Sequence, residues 1–383
     1  MKNRKLNVLL TLILCLTLLI SAFPSYGEAS SSYPAVKYDL GFVKYIIDYV
    51  KANYPFEVED EELVTNAVKG ILQNLDPYSD YYTKEEVEQL LKSVHGNYVG
   101  IGIYIGEKDG YIQVLSIMEN SPSEAAGLKA GDLIISIDDK SVEGFTVDEA
   151  ASLIQGKEGT KVKLGILRGG QQNPIYITVT RKLIEVNPVK HTVLEDNIGY
   201  ISLSQFNDYS YKYIKNALNE FDKKGITKVI LDLRDNPGGL LDQAISIARL
   251  FIPKGPIVYI REKNKFIYGY YSYLNKPKYK LAVLVNENSA SASEILAGAV
   301  KDRKAGTLIG TKTYGKGLVQ TMMPLPDGSI IKMTTAEYLT PNKTSIHGIG
   351  IEPDVVIENT NGQDLQLQKA IEILKWNQIV IKL

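Results

Sequence analysis

One cysteine, Cys15, is all the thiol that 383 residues carry, and it sits in an apolar run near the start of the chain. The residue before it is Leu14, where a lipid-attachment site needs a small side chain, so lipidation is not expected. Removal of residues 1–27 would leave no cysteine, which excludes disulfides, thiol catalysis and cysteine-ligated metal from the mature chain. The fold must then hold by packing alone. An excess of one charge is lacking too. The formal charge is −1, and without Lys2, Arg4 and Lys5 it becomes −4, from 40 basic and 44 acidic residues. Nothing in that balance favours nucleic acid. No internal repeat is visible, and no low-complexity tract beyond residues 28–34.

With 44% apolar and 23% charged residues, the chain has enough material for two or three packed domains. Residues 1–27 read as an export signal: a basic start, an apolar run from Leu6 to Phe23, and small residues around Ser25-Tyr26-Gly27. An uncleaved membrane anchor is the alternative, and either places the globular part outside the cytoplasm, secreted or on the outer face of the membrane. Residues 28–90 read as a linker and a helical region. Apolar residues recur at three- and four-residue spacing over Phe42–Tyr54 and Glu61–Leu75, Asp76-Pro77 breaks the second helix, and Thr83 caps a third. No chemistry is legible there.

Residues 91–185 change to short β-type runs punctuated by glycine: Val99–Ile105, Tyr111–Ile117, Leu133–Ile137, Lys161–Leu167 and Ile175–Arg181, with a helix over Thr146–Gln155. The order Tyr98-Val-Gly-Ile-Gly-Ile, Asn120-Ser-Pro-Ser-Glu-Ala-Ala-Gly-Leu, Ile137-Asp-Asp-Lys and then that helix resembles a PDZ domain of the circularly permuted bacterial kind. The resemblance implies that Val99, Gly100, Ile101, Gly102 and Ile103 form the loop and first strand that receive a peptide's terminal carboxylate.

Over residues 186–383 strands and helices alternate, which indicates an α/β core with strands buried on both faces. Strands are expected at Ile198–Leu203, Lys228–Leu233, Ile257–Arg261, Leu281–Val285 and Thr307–Ile309. Helices are expected at Tyr211–Lys224, Leu240–Phe251 and Ser293–Asp302. A further strand covers Ile330–Leu339, and a last helix Asp364–Trp376.

Two glycine patterns carry no nucleotide chemistry. Gly100-Ile-Gly102-Ile-Tyr-Ile-Gly106 spaces its third glycine one residue late for a dinucleotide fingerprint. Gly310 to Lys316 imitates a phosphate loop, but Gly317 replaces the magnesium-binding hydroxyl and no helix follows. Leu231-Asp-Leu-Arg-Asp-Asn-Pro-Gly238-Gly239 ends a strand in a tight turn, or else bares a glycine amide to a reacting oxyanion. Ser291 with Glu294 fits an ordinary capping box. A serine at a helix start also has the next amide, that of Ala292, and the helix dipole aimed at developing negative charge. Lys316, flanked by Gly315 and Gly317, is a surface lysine unless it is bent inward, where desolvation would lower its pKa. Gln320 could hold its amine.

In combination, Asn288-Ser-Ala-Ser-Ala-Ser-Glu-Ile-Leu-Ala, Tyr314-Gly-Lys-Gly-Leu-Val-Gln, Leu233-Arg-Asp-Asn-Pro-Gly-Gly and Leu75-Asp-Pro-Tyr-Ser resemble the carboxyl-terminal processing peptidases. The resemblance runs from about residue 40 to 375. It implies Ser291 as nucleophile, Lys316 as base and Gln320 as its support, and opposite that serine the amides of Gly238, Gly239 and Ala292 are the expected oxyanion hole. It also implies a multidomain α+β chain: a helical N-terminal region, a PDZ-like β-domain and a core related to the crotonase and Clp-peptidase fold. The expected partners are proteins with exposed apolar C-termini, and no cofactor or metal is expected. A homodimer through the N-terminal helices is an open arrangement, because the chain ends before the C-terminal extension that some members use for dimer contacts. Arg168, ending a β-run, is a candidate for signalling peptide binding to the core. The competing readings are a serine–histidine hydrolase drawing on His95, His191 or His347, and an inert peptide-binding scaffold.

Overall fold

The computed structural model describes residues 39–375 apart from 172 and 361. The export signal, the linker at 28–34 and Trp376 lie outside the described residues. The chain forms two compact units, which meet in sequence at 66/67. Before that point, helix α1 (Leu40–Asn53) starts where the Asp39 carboxylate accepts from the Gly41 and Phe42 amides, and it buries no residue. Helix α2 (Asp60–Gln73) opens with Asp60, Glu61 and Glu62, charges that favour the positive end of a helix dipole.

In the second unit the chain after α2 turns at Asp76. Its carboxylate accepts from the Tyr78 and Ser79 amides and the Ser79 hydroxyl. Strand β1 (Asp80–Tyr82) follows, then α3 (Lys84–His95), started by a Thr83/Glu86 capping box and ended by Gly96 at φ 67°. Strand β2 (Asn97–Gly100) pairs with β9 (Lys182–Glu185) in a two-stranded ribbon. The chain between them makes a separate sheet in the order β3 (Ile103–Lys108), β4 (Tyr111–Ile117), β5 (Leu133–Ile137), β7 (Lys161–Leu167), β8 (Ile175–Thr180), with β6 (Lys140–Ser141) beside β5. Helices α4 (Pro122–Ala125) and α5 (Val147–Ile154) complete this β-domain. Ile112, Val114, Ile134, Val162, Leu164 and Ile166 form its core.

The α/β core is a six-stranded sheet ordered β10 (Val189–Leu194), β11 (Ile198–Leu203), β12 (Lys228–Asp232), β15 (Lys280–Val285), β16 (Gly306–Gly310), β19 (Val355–Val356). Every pairing after β10–β11 is parallel. The strands read as continuous apolar runs because both faces are covered. Val229, Leu231, Val283 and Val285 meet α6 (Ser210–Lys223), α7 (Leu241–Phe251) and α8 (Ala292–Asp302), while Ile230, Ala282 and Leu284 meet Ala370 and Leu374 of α9 (Leu365–Lys375). Arg234 fastens the start of α9 by gripping both Asp232 and Asp364.

One expected strand belongs elsewhere. Ile257–Arg261 lies in β13 (Gly255–Glu262), which leaves the parallel sheet for a second, antiparallel one with β14 (Ile267–Ser272), β18 (Ile330–Leu339), β17 (Leu318–Pro324) and β1. An apolar run shows that a strand is buried and not which sheet it joins. The helical N-terminal region, the β-domain and the α/β core are thus all present.

Candidate active site

The turn after β12 and the start of α8 are locked together by buried side chains. Asn236, fully buried, donates from Nδ2 to the Leu203 carbonyl, accepts the Gly238 amide at Oδ1, and with its own carbonyl accepts the Ala290 amide and the Ser293 hydroxyl. The Ser289 hydroxyl donates to the Leu233 carbonyl at 2.8 Å. Ser289 and Ser293 are therefore staples between the two turns. Between them, Ser291 has φ 54° and ψ −113°, a backbone conformation that costs a non-glycine residue about 1–3 kcal/mol and persists only where its surroundings fix it.

Those surroundings centre on Glu294, which is wholly buried. One carboxylate oxygen accepts the Ser291 amide at 2.9 Å and the Lys316 amide at 2.8 Å. The other accepts the Thr313 hydroxyl at 2.6 Å and the Gly315 amide at 2.7 Å. The Tyr338 hydroxyl, from β18, donates to the Ser291 carbonyl at 3.1 Å and reaches Glu294 at 3.4 Å. The expected capping box is present, with the Ser291 amide donating to the Glu294 carboxylate, and the Glu294 amide also donates to the Ser291 carbonyl at 2.8 Å. The sequence reading took Glu294 for a local helix cap. It is the clamp that ties Ser291 to the loop bearing Lys316.

Of the three expected oxyanion donors, the structure separates one. The Gly238 amide is turned onto Asn236 Oδ1 at 2.9 Å and is occupied. The Gly239 and Ala292 amides donate to nothing among the described residues. A Cβ on Gly238 would stand 2.8 Å from the Ser291 Cβ and 2.9 Å from the Ala292 nitrogen, so the glycine's contribution here is close approach. Gly239 backs onto Phe206.

Lys316 is half-buried, and burial first, then the neighbouring Lys332, pushes its amine below the ordinary lysine value, against the opposing charges of Asp76 and Glu294. Its Nζ lies 4.4 Å from the centroid of the Tyr78 ring and makes no hydrogen bond to Ser291 or any other described residue. Tyr78 comes from the Asp76-Pro77 turn, part of the Leu75-Asp-Pro-Tyr-Ser motif, to which the sequence assigned no chemical role. Gln320 does not hold the lysine: its amide donates to Thr334 Oγ1 at 3.2 Å, because β17 directs it across to β18. Gly315 and Gly317 serve close packing, since a Cβ on either would fall within 3 Å of the backbone at Gly350 or His347. No histidine bonds to Ser291; His95 pairs with Asp208 and His191 with Glu220.

In the β-domain a small cavity of about 80 Å³ runs between β3 and α5, lined by Tyr98, Ile101, Gly102, Ile103, Ile105, Ala151, Ile154 and Gln155. Val99 and Gly100, expected in this site, are outside it, because β2 spends them on pairing with β9. Tyr98, Ile105 and the α5 residues line the cavity and were not among the expected residues. The Ile101 and Gly102 amides have no partner among the described residues, and Gly102, at φ 78°, leaves no room for a Cβ against Ser121. Arg168 is not brought to the other site residues. It grips the buried Asp132 with two bonds of 2.7 and 2.8 Å and donates to the Gly127 carbonyl at 2.9 Å.

Residues 197–357 match peptidase family S41, and residues 113–168 match the PDZ domain. The chain is 40% identical over 323 residues to the carboxy-terminal-processing protease of Bartonella bacilliformis, covering 82% of this chain and 74% of that one. It is 39% identical over 361 residues to carboxy-terminal processing protease CtpA of Bacillus subtilis, covering 92% and 76%. Among solved structures, the photosystem II D1 C-terminal processing protease superposes with a TM-score of 0.50 at 28% identity, over 87% of this chain and 91% of that one. The inert-scaffold reading therefore falls away. With its PDZ domain set before an α/β core, the chain belongs to peptidase family S41, the carboxy-terminal processing proteases, and is a serine-type endopeptidase.

Proposed function

We propose that this is an exported endopeptidase in which residues 91–185 receive the apolar C-terminal tail of a protein substrate and residues 186–383 cut the chain by a Ser291–Lys316 mechanism. The observation that carries this reading is the double grip of Glu294 on the Ser291 and Lys316 amides, which fastens both residues to one buried group. Neutral Lys316 takes the proton of Ser291 Oγ as that oxygen bonds to the scissile carbonyl carbon. The negative charge on the carbonyl oxygen is met by the Gly239 and Ala292 amides. Collapse breaks the C–N bond, and the Lys316 ammonium returns its proton to the leaving amine. Water then attacks the acyl-Ser291 ester with Lys316 again as base, releasing the acid and restoring both residues.

The free Ile101 and Gly102 amides, above an apolar cavity, suit a terminal carboxylate and the side chain next to it. The Lys316 amine rests over the Tyr78 ring and the Gln320 amide bonds to Thr334, and neither bonds to Ser291, which supports a resting enzyme that rearranges when a peptide binds. Arg168 would act in that step by loosening its hold on Asp132. Export rests on the basic and apolar pattern of residues 1–27; no helix of the described residues is long and apolar enough to cross a membrane. A homodimer through the N-terminal helices is supported by α1, whose Val43, Ile46 and Tyr49 are exposed. Ser291→Ala and Lys316→Ala should each abolish cleavage of a protein with an apolar tail while leaving its binding intact. Cleavage at the wild-type rate by either variant refutes the mechanism.

A further inference from the structure

The turn before β1 presents an aromatic face to the one amine on which the proposed mechanism depends. Tyr78 is held there by a rigid local frame. The Asp76 carboxylate takes the Tyr78 amide at 2.8 Å and the Ser79 amide at 2.9 Å. Ser79, 2% exposed, accepts the Thr334 amide at 3.0 Å, and β1 continues the attachment by pairing with β18. The backbone that carries the ring is therefore fixed on both sides.

The Lys316 Nζ rests over that ring and bonds to nothing else among the described residues. An ammonium over the face of a tyrosine is attracted by the ring quadrupole, and a neutral amine is not. The charged groups around it are Asp76 and Glu294, which favour the ammonium, and Lys332, which opposes it. Lys332 is itself directed to the Tyr82 hydroxyl at 2.7 Å. Tyr314 lies beside Tyr78, and the Tyr338 hydroxyl is committed to Ser291 and Glu294. None of these groups supplies a hydrogen-bond acceptor to Nζ. The Tyr78 face is what the ammonium has.

We propose that Tyr78 is a positioning residue for Lys316: its ring holds the protonated side chain at rest, and loss of the proton to solvent releases the amine toward Ser291. This rests on the assignment of Lys316 as the base. Coupling the hold to protonation gives the device its use. The form that cannot accept a proton is kept away from Ser291, and the form that can is set free.

The test compares wild type with Tyr78→Phe, which keeps the face and loses the hydroxyl, and Tyr78→Leu, which keeps an apolar cover and loses the face. Two readouts are taken against pH: kcat/KM on a tailed protein substrate, and the acetylation rate of Lys316 by acetic anhydride, followed by peptide mass spectrometry. The second reports the amine without needing catalysis. Tyr78→Phe should leave both midpoints where they are. Tyr78→Leu should move both to lower pH by about 0.4–1.5 units, the span expected from losing one cation–π contact. A purely structural role would lower the plateau and leave the midpoints in place. An unmoved or raised labelling midpoint in Tyr78→Leu, or an equal shift in Tyr78→Phe, overturns the inference. An inactive Tyr78→Leu with a lowered labelling midpoint still supports it. Full cleavage by Lys316→Ala overturns instead the assignment of the base, because the labelling shift stands apart from it.

Discussion

Glu294→Gln is the smallest change that attacks the frame of the site. The substitution keeps shape and volume but turns one acceptor oxygen into an NH2 group. If that group takes the place of the oxygen facing Ser291 and Lys316, it meets two amide donors, at 2.9 and 2.8 Å, and leaves both unsatisfied. If it takes the other place, the Thr313 hydroxyl, which already accepts the Ile351 amide, can turn to accept it as well, and the Gly315 amide is the one backbone donor orphaned. The second arrangement wins. One buried orphan costs about 1–3 kcal/mol, and the remaining bonds lose their charge assistance, so the unfolding free energy should fall by about 2–4 kcal/mol. The effect on catalysis should be larger than stability alone explains, because the strained Ser291 backbone and the Lys316 loop lose their common anchor. A misplacement of about 1 Å is enough for a roughly 100-fold loss. Urea unfolding followed by circular dichroism gives the first quantity, and kcat/KM measured where the variant remains folded gives the second. An unchanged unfolding midpoint together with cleavage within a few fold of wild type would refute the role of the clamp.

Three further outcomes follow from the same geometry. Burial lowers the Lys316 pKa, so the neutral, proton-accepting form is populated at a lower pH than for a free lysine, and kcat/KM should rise with pH along a limb set below the ordinary lysine value; a limb that disappears only in a histidine variant would contradict this. Gly239→Ala places a Cβ 2.2 Å from the Phe206 carbonyl oxygen at φ 136°, so it should lower both the unfolding midpoint and kcat/KM, and a fully active variant would remove Gly239 from the proposed oxyanion hole. Gly102→Ala puts a Cβ 2.4 Å from the Ser121 Cβ beside the peptide cavity, so fluorescence anisotropy should show about tenfold or greater weakening of a tail peptide, equivalent to about 1.4 kcal/mol; equal affinity would place the tail elsewhere.

What was legible in the sequence was whatever a short segment decides. The Thr83 cap, the Asp76 break and the buried parallel strands depend on neighbours within a few residues, and they stand where the periodicity put them. Ser291, Lys316 and the Gly238-Gly239 turn were singled out by motif. Their partners were not, because each partner is chosen by packing between distant segments. Tyr78 reaches Lys316 only through the docking of β1 on β18, and no local pattern records that docking. Glu294 was hidden by its own sequence signal, since a serine followed three residues later by a glutamate already has a sufficient local explanation. Gln320 has the right spacing from Lys316, but it lies on a strand whose pairing turns its amide to Thr334. In the β-domain, Val99 and Gly100 pair with β9 and do not line the cavity, because one continuous β-type run is cut in two at Ile101–Gly102, with its halves in different sheets.

The central claim, that Ser291 is activated by Lys316, is tested most directly by mapping the residue that a fluorophosphonate probe modifies, with a C-terminal peptide present to move the enzyme out of its resting form. Peptide mass spectrometry should place the label on Ser291 in wild type and find it lost in Ser291→Ala and strongly slowed in Lys316→Ala. A label on another residue, or undiminished labelling in Lys316→Ala, would contradict the account.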